Sequence, residues 1–170
     1  MFWSVSVEND DKIVNVDDFN QSEMAKRVEA ASIRKANLSF MSLLALAILA
    51  GAFIAFGCEF YTLTVFDSTL SIGLTKLIGG FTFSLGLILV IVAGAELFTG
   101  NNLIIMGVAS RTVSFKQLLR NWSVSYLGNF IGSMVIVFLM FLSNQWQLKD
   151  GLLGANAVMI AANKVNLTFL

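Results

Sequence analysis

Histidine and proline are absent from the chain, cysteine occurs once, and charged residues make up only 13% of the 170. Each shortage excludes something. Without histidine the commonest proton shuttle and metal ligand is missing. No cluster of metal-binding residues and no nucleophile–base pair stands out either, so an enzyme is the least supported class and no cofactor is expected. Without proline, every break in a helix must come from glycine and polar residues. Cys58 alone makes neither an intramolecular disulfide nor a metal cluster, and its place near the end of an apolar stretch suits packing. Basic and acidic residues both number 11, with no basic face, so nucleic acid is not an expected partner. Residues 1–18 are acidic and lack a basic start followed by an apolar core, so no cleavable signal is visible.

What is present in excess is apolar sequence, 56% of the chain. Soluble domains carry about a quarter charged residues, and here the few charges also cluster. About 20 residues span a bilayer, and three stretches are long enough: 38–64, 74–110 and 121–148. The expectation is an all-α integral membrane protein embedded in a lipid bilayer. Before the spans lie a polar tail, 1–19, and a segment at 20–37 with apolar positions Met24, Val28 and Ala31 at helical spacing among Lys26, Arg27, Arg34 and Lys35. That pattern predicts an amphipathic helix on the membrane surface, capped by Asn20 with Glu23 three residues on. Residues 151–164 are small and mildly apolar and predict a second helix in the interface.

The second span is interrupted. Leu77 to Ala95 carries no charge, then Gly94-Ala95-Glu96-Leu97-Phe98-Thr99-Gly100-Asn101-Asn102 brings a carboxylate, a hydroxyl, two carboxamides and two glycines, before the run turns apolar again at Leu103. A break over 96–102 is predicted, with helix resuming near Leu103. Non-helical backbone at membrane depth survives only where protein buries it or a water-filled cavity receives it, and broken helices often form transport sites. Thr99 is therefore a candidate on position alone. Glu96 is read as structural, its carboxylate accepting freed backbone N–H groups. Gly94 and Gly100 bound the loop, and Asn101 and Asn102 are expected to cap the restarting helix.

Orientation follows from the basic residues. Lys12, Lys26, Arg27, Arg34 and Lys35 precede the first span, and Arg111, Lys116 and Arg120 follow the broken one. The connection between the first two spans has none until Lys76. This predicts a cytoplasmic N-terminus in the cytoplasmic (inner) membrane of a cell.

At residues 77–89 and 94–102, through Asn121-Trp122, Tyr126-Leu127-Gly128-Asn129 and Gly132, to Asn163-Lys164-Val165 and Thr168-Phe169, the sequence resembles the formate/nitrite transporter family. The resemblance covers roughly 24–170. It implies half of an aquaporin-like fold of six helices in two inverted halves, assembled as homopentamers with one pore per protomer. It implies passage of formate, nitrite, hydrosulfide or a short monocarboxylate, as anion or neutral acid. Only the first half is matched, so a fragment or split gene product is expected, and the family's pore histidine falls outside the match. The resemblance also implies roles: Leu97, Phe98 and Thr99 line the loop, with Phe98 at the outer constriction and Thr99 facing the chamber. Phe83 and Leu87, four apart on one helical face, match the inner constriction. Without the resemblance, plain helix packing is the better reading for that pair. Lys164 matches a lysine near the outer side of the pore, where a cation attracts anions; a lysine snorkelling to headgroups is the alternative. A non-transporting membrane subunit is the competing function.

Overall fold

The computed structural model describes residues 20–166, so the expected tail at 1–19 and the final apolar residues lie outside the described residues. Within them the chain is helical: α1 (Gln21–Ala36), α2 (Phe40–Val65), α3 (Ile72–Val92), a single turn α4 (Phe98–Asn101), α5 (Ile105–Ala109), α6 (Phe115–Leu142) and α7 (Leu148–Val165). A 3-10 turn, Asn102–Ile104, joins α4 to α5, and another, Gln145–Gln147, precedes α7. Among the described residues, α2, α3 and α6 are long and apolar enough to cross a membrane.

Hydropathy sets the core of each element and capping sets its ends. Asn20 and Glu23 close α1 reciprocally, the Asn20 side chain accepting from the Glu23 N–H at 2.9 Å and the Glu23 carboxylate accepting from the Asn20 N–H at 3.1 Å. Ser114 and Gln117 do the same for α6. That second box starts α6 at Phe115, before the apolar stretch that suggested 121, and its helix ends at Leu142 rather than 148. The early turns carry Lys116 and Arg120, which a hydropathy reading assigns to the preceding loop. Both terminal guanidinium nitrogens of Arg120 donate to the Leu38 carbonyl at 3.0 Å, fixing the α1–α2 connection against α6.

Helix α2 is the centre, with α3 on one side and α6 on the other. Its buried positions are small ones punctuated by Leu43: Ala47, Ala50, Gly51, Ala55 and Gly57. Apolar side chains gain nothing by leaving lipid for protein, so membrane helices associate through close packing, which small residues permit. A Cβ on Gly51 would collide with the Asn129 carbonyl, and one on Gly132 with the Ile48 carbonyl. The two backbones therefore touch.

Helix α1 does not float free. Ser32 and Ala36 are buried, with Ala36 in a cluster with Ile104, Val113 and Leu118, and Ser32 Oγ donates to the carbonyls of Val28 (2.8 Å) and Leu103 (3.3 Å). One face of the segment expected at the membrane surface is thus committed to the resumed half of the broken helix. At the other end of the molecule, Lys149 pairs with Asp67 and ties the start of α7 to the α2–α3 connection.

Replacing Gly132 by Ala should force α6 off α2 and cost about 1–3 kcal/mol, the usual range for overpacking. Equilibrium unfolding in detergent measures it; an unchanged midpoint would mean that the helices are not in backbone contact.

Candidate functional site

The break begins with a glycine. Gly94 sits at φ +62°, a left-handed conformation that costs a residue with a Cβ about 1–2 kcal/mol. Around it the Ala95 N–H donates to the Val90 carbonyl (2.9 Å) and the Gly94 N–H to Ile91 (3.2 Å), a helix-ending pair of bonds of the Schellman type. So α3 ends at Val92 and helix resumes at Phe98, earlier than the 96–102 break read from polarity. The glycine ends the helix before the polar residues arrive.

Neighbouring helices take up several of the backbone groups freed at the break. The Glu96 N–H donates to the Leu46 carbonyl of α2 at 3.2 Å. Asn129 of α6 does the rest: its carboxamide oxygen accepts from the Phe98 N–H (2.8 Å), and its Nδ2 donates to the carbonyls of Ala47 (2.8 Å) and Glu96 (3.0 Å). The role expected of the Glu96 carboxylate belongs to this residue. A carboxamide both donates and accepts, so one side chain serves a stranded N–H and a stranded carbonyl together.

Glu96 is instead half of an ion pair. Its side chain is 6% exposed, and Oε1 lies 2.7 Å from Lys35 Nζ of α1. Lys35 Nζ also donates to Asn101 Oδ1 (3.1 Å), and Asn101 Nδ2 donates to Asn121 Oδ1 (2.8 Å) and Ser125 Oγ (2.9 Å). Asn121 closes the ring by donating to the Lys35 carbonyl at 3.0 Å, and the Trp122 indole donates to the Asn101 carbonyl at 3.0 Å. Glu96 Oε2 has no hydrogen-bond partner among the described residues. Neither Asn101 nor Asn102 caps a helix with its side chain. Helix has already resumed at Phe98, so both lie inside it, where no cap is called for; Asn101 is fully buried in the ring and Asn102 is exposed.

The remaining candidates divide into two places. Leu97 is half-buried against Ala50, Val90 and Ala95. Phe98 is half-buried and meets the rings of Trp122 and Tyr126 edge-on, with centroids 6.2 and 5.5 Å away. Thr99 follows it, exposed. Gly100 lies in the same helical turn with open space where a Cβ would stand, so nothing there demands glycine. Phe83 and Leu87 are both exposed on α3. Phe83 shares a hollow of about 610 Å³ with Lys164 of α7, and none of Leu87, Leu97, Phe98 or Thr99 lines it. Sequence reasoning placed Lys35 only on the amphipathic helix and among the orienting charges, and gave Asn121, Ser125 and Asn129 no role at the site. A signal existed: 121, 125 and 129 form a polar stripe at helical spacing along an otherwise apolar α6.

Comparison with known proteins agrees with this architecture. The family model for the formate/nitrite transporter matches residues 22–170. The formate channel FocA of Escherichia coli (strain K12) is 42% identical over 148 residues, which is 86% of this chain and 52% of that protein. FocA of Haemophilus influenzae is 39% identical, again across 86% of this chain and 52% of its own. Among solved structures, a pentameric formate channel with formate bound superposes with a TM-score of 0.68 at 41% identity, covering 77% of this chain and 52% of that one. The chain spans about half the length of the curated relatives it matches. By its sequence and its fold, the chain belongs to the formate/nitrite transporter family.

Proposed function

We propose that this chain builds one wall of a membrane pathway for small monovalent anions, formate foremost and nitrite next, or for their neutral acids. The observation that carries the reading is the break at 93–97. The Glu96 N–H and carbonyl and the Phe98 N–H are engaged by α2 and Asn129, and the Thr99 side chain stands exposed next to an aromatic ring that meets two rings of α6 edge-on. In this reading the opposite wall comes from a second half of similar length, in keeping with the size of the relatives. The assembly is a homopentamer, after the pentameric channel that superposes on it.

Each candidate then has a physical task. Phe83, Leu87, Leu97 and Phe98 surround the path with apolar surface, where an unpaired ion loses its hydration at high cost. Thr99 offers a hydroxyl donor between them. Lys164 at the mouth attracts the anion and, by its charge, holds it until a proton is taken up. The basic residues before α2, with Arg111 after α5 and Lys116 and Arg120 in the first turns of α6, favour α1 on the cytoplasmic side. With that orientation, chain order sets Phe83 on the outer side of the break and Phe98 on the inner. The labels implied by the resemblance are thereby reversed. Burying Glu96 against Lys35 fits the same purpose, because a bare carboxylate on this path would repel its cargo.

Uptake of labelled formate, acetate and lactate into liposomes tests the reading, with this chain alone and co-expressed with the C-terminal half of a formate channel. Formate uptake in neither preparation would overturn it. Thr99→Ala removes a donor to a charged partner, worth about 1.5–3 kcal/mol, so formate entry should fall about tenfold or more while the protein stays folded. Phe98→Ala should raise lactate entry relative to formate. Lys35→Met leaves Glu96 buried without its partner. The loss should be about 3–5 kcal/mol, measured by unfolding in detergent, and Glu96→Leu added to it should recover much of that.

A further inference from the structure

The α2–α3 end of the molecule holds a second basic residue to which the reading above gives no task. Lys76 of α3 lines the 610 Å³ hollow together with Lys164, Asn163, Tyr61, Thr62 and Phe83. It also lines an adjoining hollow of about 300 Å³ with Tyr61, Asn156 and Asn163. It therefore stands where the two meet. Its Nζ donates to the Tyr61 hydroxyl at 2.9 Å and lies 5.6 Å from the centre of that ring. Because the phenol oxygen accepts this bond, its own proton is left to donate elsewhere. Asn156 Nδ2, buried in the wall of the smaller hollow, has no partner among the described residues.

No carboxylate among the described residues lines either hollow. Asp67, nearby in the α2–α3 connection, is taken by Lys149, and Glu59 lines the neighbouring apolar hollow between α2, α6 and α7, which shares Cys58 and Thr62 with the larger one. The result is a recess with two cations and no carboxylate in its own lining, the Glu59 carboxylate belonging to the hollow beside it.

We infer that Lys76, with Tyr61, Asn156 and Asn163, forms a capture site for small monovalent anions outside Phe83, in addition to Lys164. The inference rests on the proposed anion pathway and gives its mouth a second charge. At about 30 Å³ per water, the larger hollow holds an anion with its hydration shell. Recognition there is by charge, and the Tyr61 bond keeps Lys76 turned inward instead of snorkelling to lipid.

Cys58 lines this hollow and the apolar one beside it and is the single cysteine of the chain, so it reports the local potential, with the contribution of Glu59 common to every variant compared. The full chain is placed in phosphatidylcholine nanodiscs. Its modification by the anionic 2-sulfonatoethyl methanethiosulfonate and the cationic 2-(trimethylammonium)ethyl analogue is timed by mass spectrometry. The ratio of the two rates cancels the thiol's own reactivity. Lys76→Gln should lower the anionic-to-cationic ratio about tenfold, as expected for removing one nearby charge from a partly wet site. Lys76→Arg should keep it, Lys116→Gln at the opposite end should leave it alone, and added formate should slow the anionic reagent in the parent chain. The inference is overturned by an unchanged ratio in Lys76→Gln, by an equal fall in Lys116→Gln, or by a cysteine that neither reagent reaches. It is also overturned if formate gives no protection and anionic phosphatidylglycerol does, since the recess then holds a lipid headgroup. Protection by formate without formate uptake would sink the transport reading and leave this site standing; uptake with an unchanged ratio would do the reverse.

Discussion

A backbone broken at membrane depth has to find hydrogen-bond partners inside the protein, and most of this structure answers that requirement. An unsatisfied buried peptide group costs several kcal/mol in hydrocarbon, where water offers no substitute. Three sources meet it here: the Schellman bonds around Gly94, the α2 carbonyls, and the carboxamide of Asn129. The first is local to α3, but the other two need α2 and α6 to lie within reach of each other and of the break. The glycine contacts of Gly51 and Gly132 are therefore part of the same solution as the polar bonds. A bulkier crossing would move Asn129, whose own carbonyl abuts Gly51, away from the carbonyls it serves.

The second layer is the buried ring of Lys35, Glu96, Asn101, Asn121 and Ser125. A buried ion pair is poor evidence of stability, since desolvation offsets much of the attraction. Its value is geometric. The ring draws one member from α1, two from the broken segment and two from α6, so the rotation of each element is set by the others. Thr99 lies between two ring members, Glu96 and Asn101, and inherits their positions.

How much of this was legible depends on the range of the interactions. The three spans follow from composition and length, which are local, and the family could be read from strings such as Glu96 to Asn101. That a break exists was also legible. Its placement was misjudged because polarity pointed to Glu96 and beyond, while the terminating event is the left-handed Gly94. The partners of the break were not legible, because Asn129 and Lys35 lie 33 and 61 residues from Glu96. A lysine on an amphipathic helix looks solvated until the helix is seen docked through Ser32 and Ala36.

The two ends of the molecule use their lysines differently, and the difference is physical. Lys35, at the break, is paired with Glu96 and donates to the Asn101 carboxamide; its charge serves to orient the elements around it. Lys76 and Lys164, at the far end, face hollows lined by no described carboxylate, and the nearest acid of the connection is occupied by Lys149. At both ends the charges that hold the fold are paired, Lys35 with Glu96 and Lys149 with Asp67, and Lys76 and Lys164 are the ones left facing hollows without a carboxylate in their lining. In the proposed pathway, that division would let the mouth attract an anion without the break binding it so tightly that it cannot leave, which is the condition any conducting path must meet.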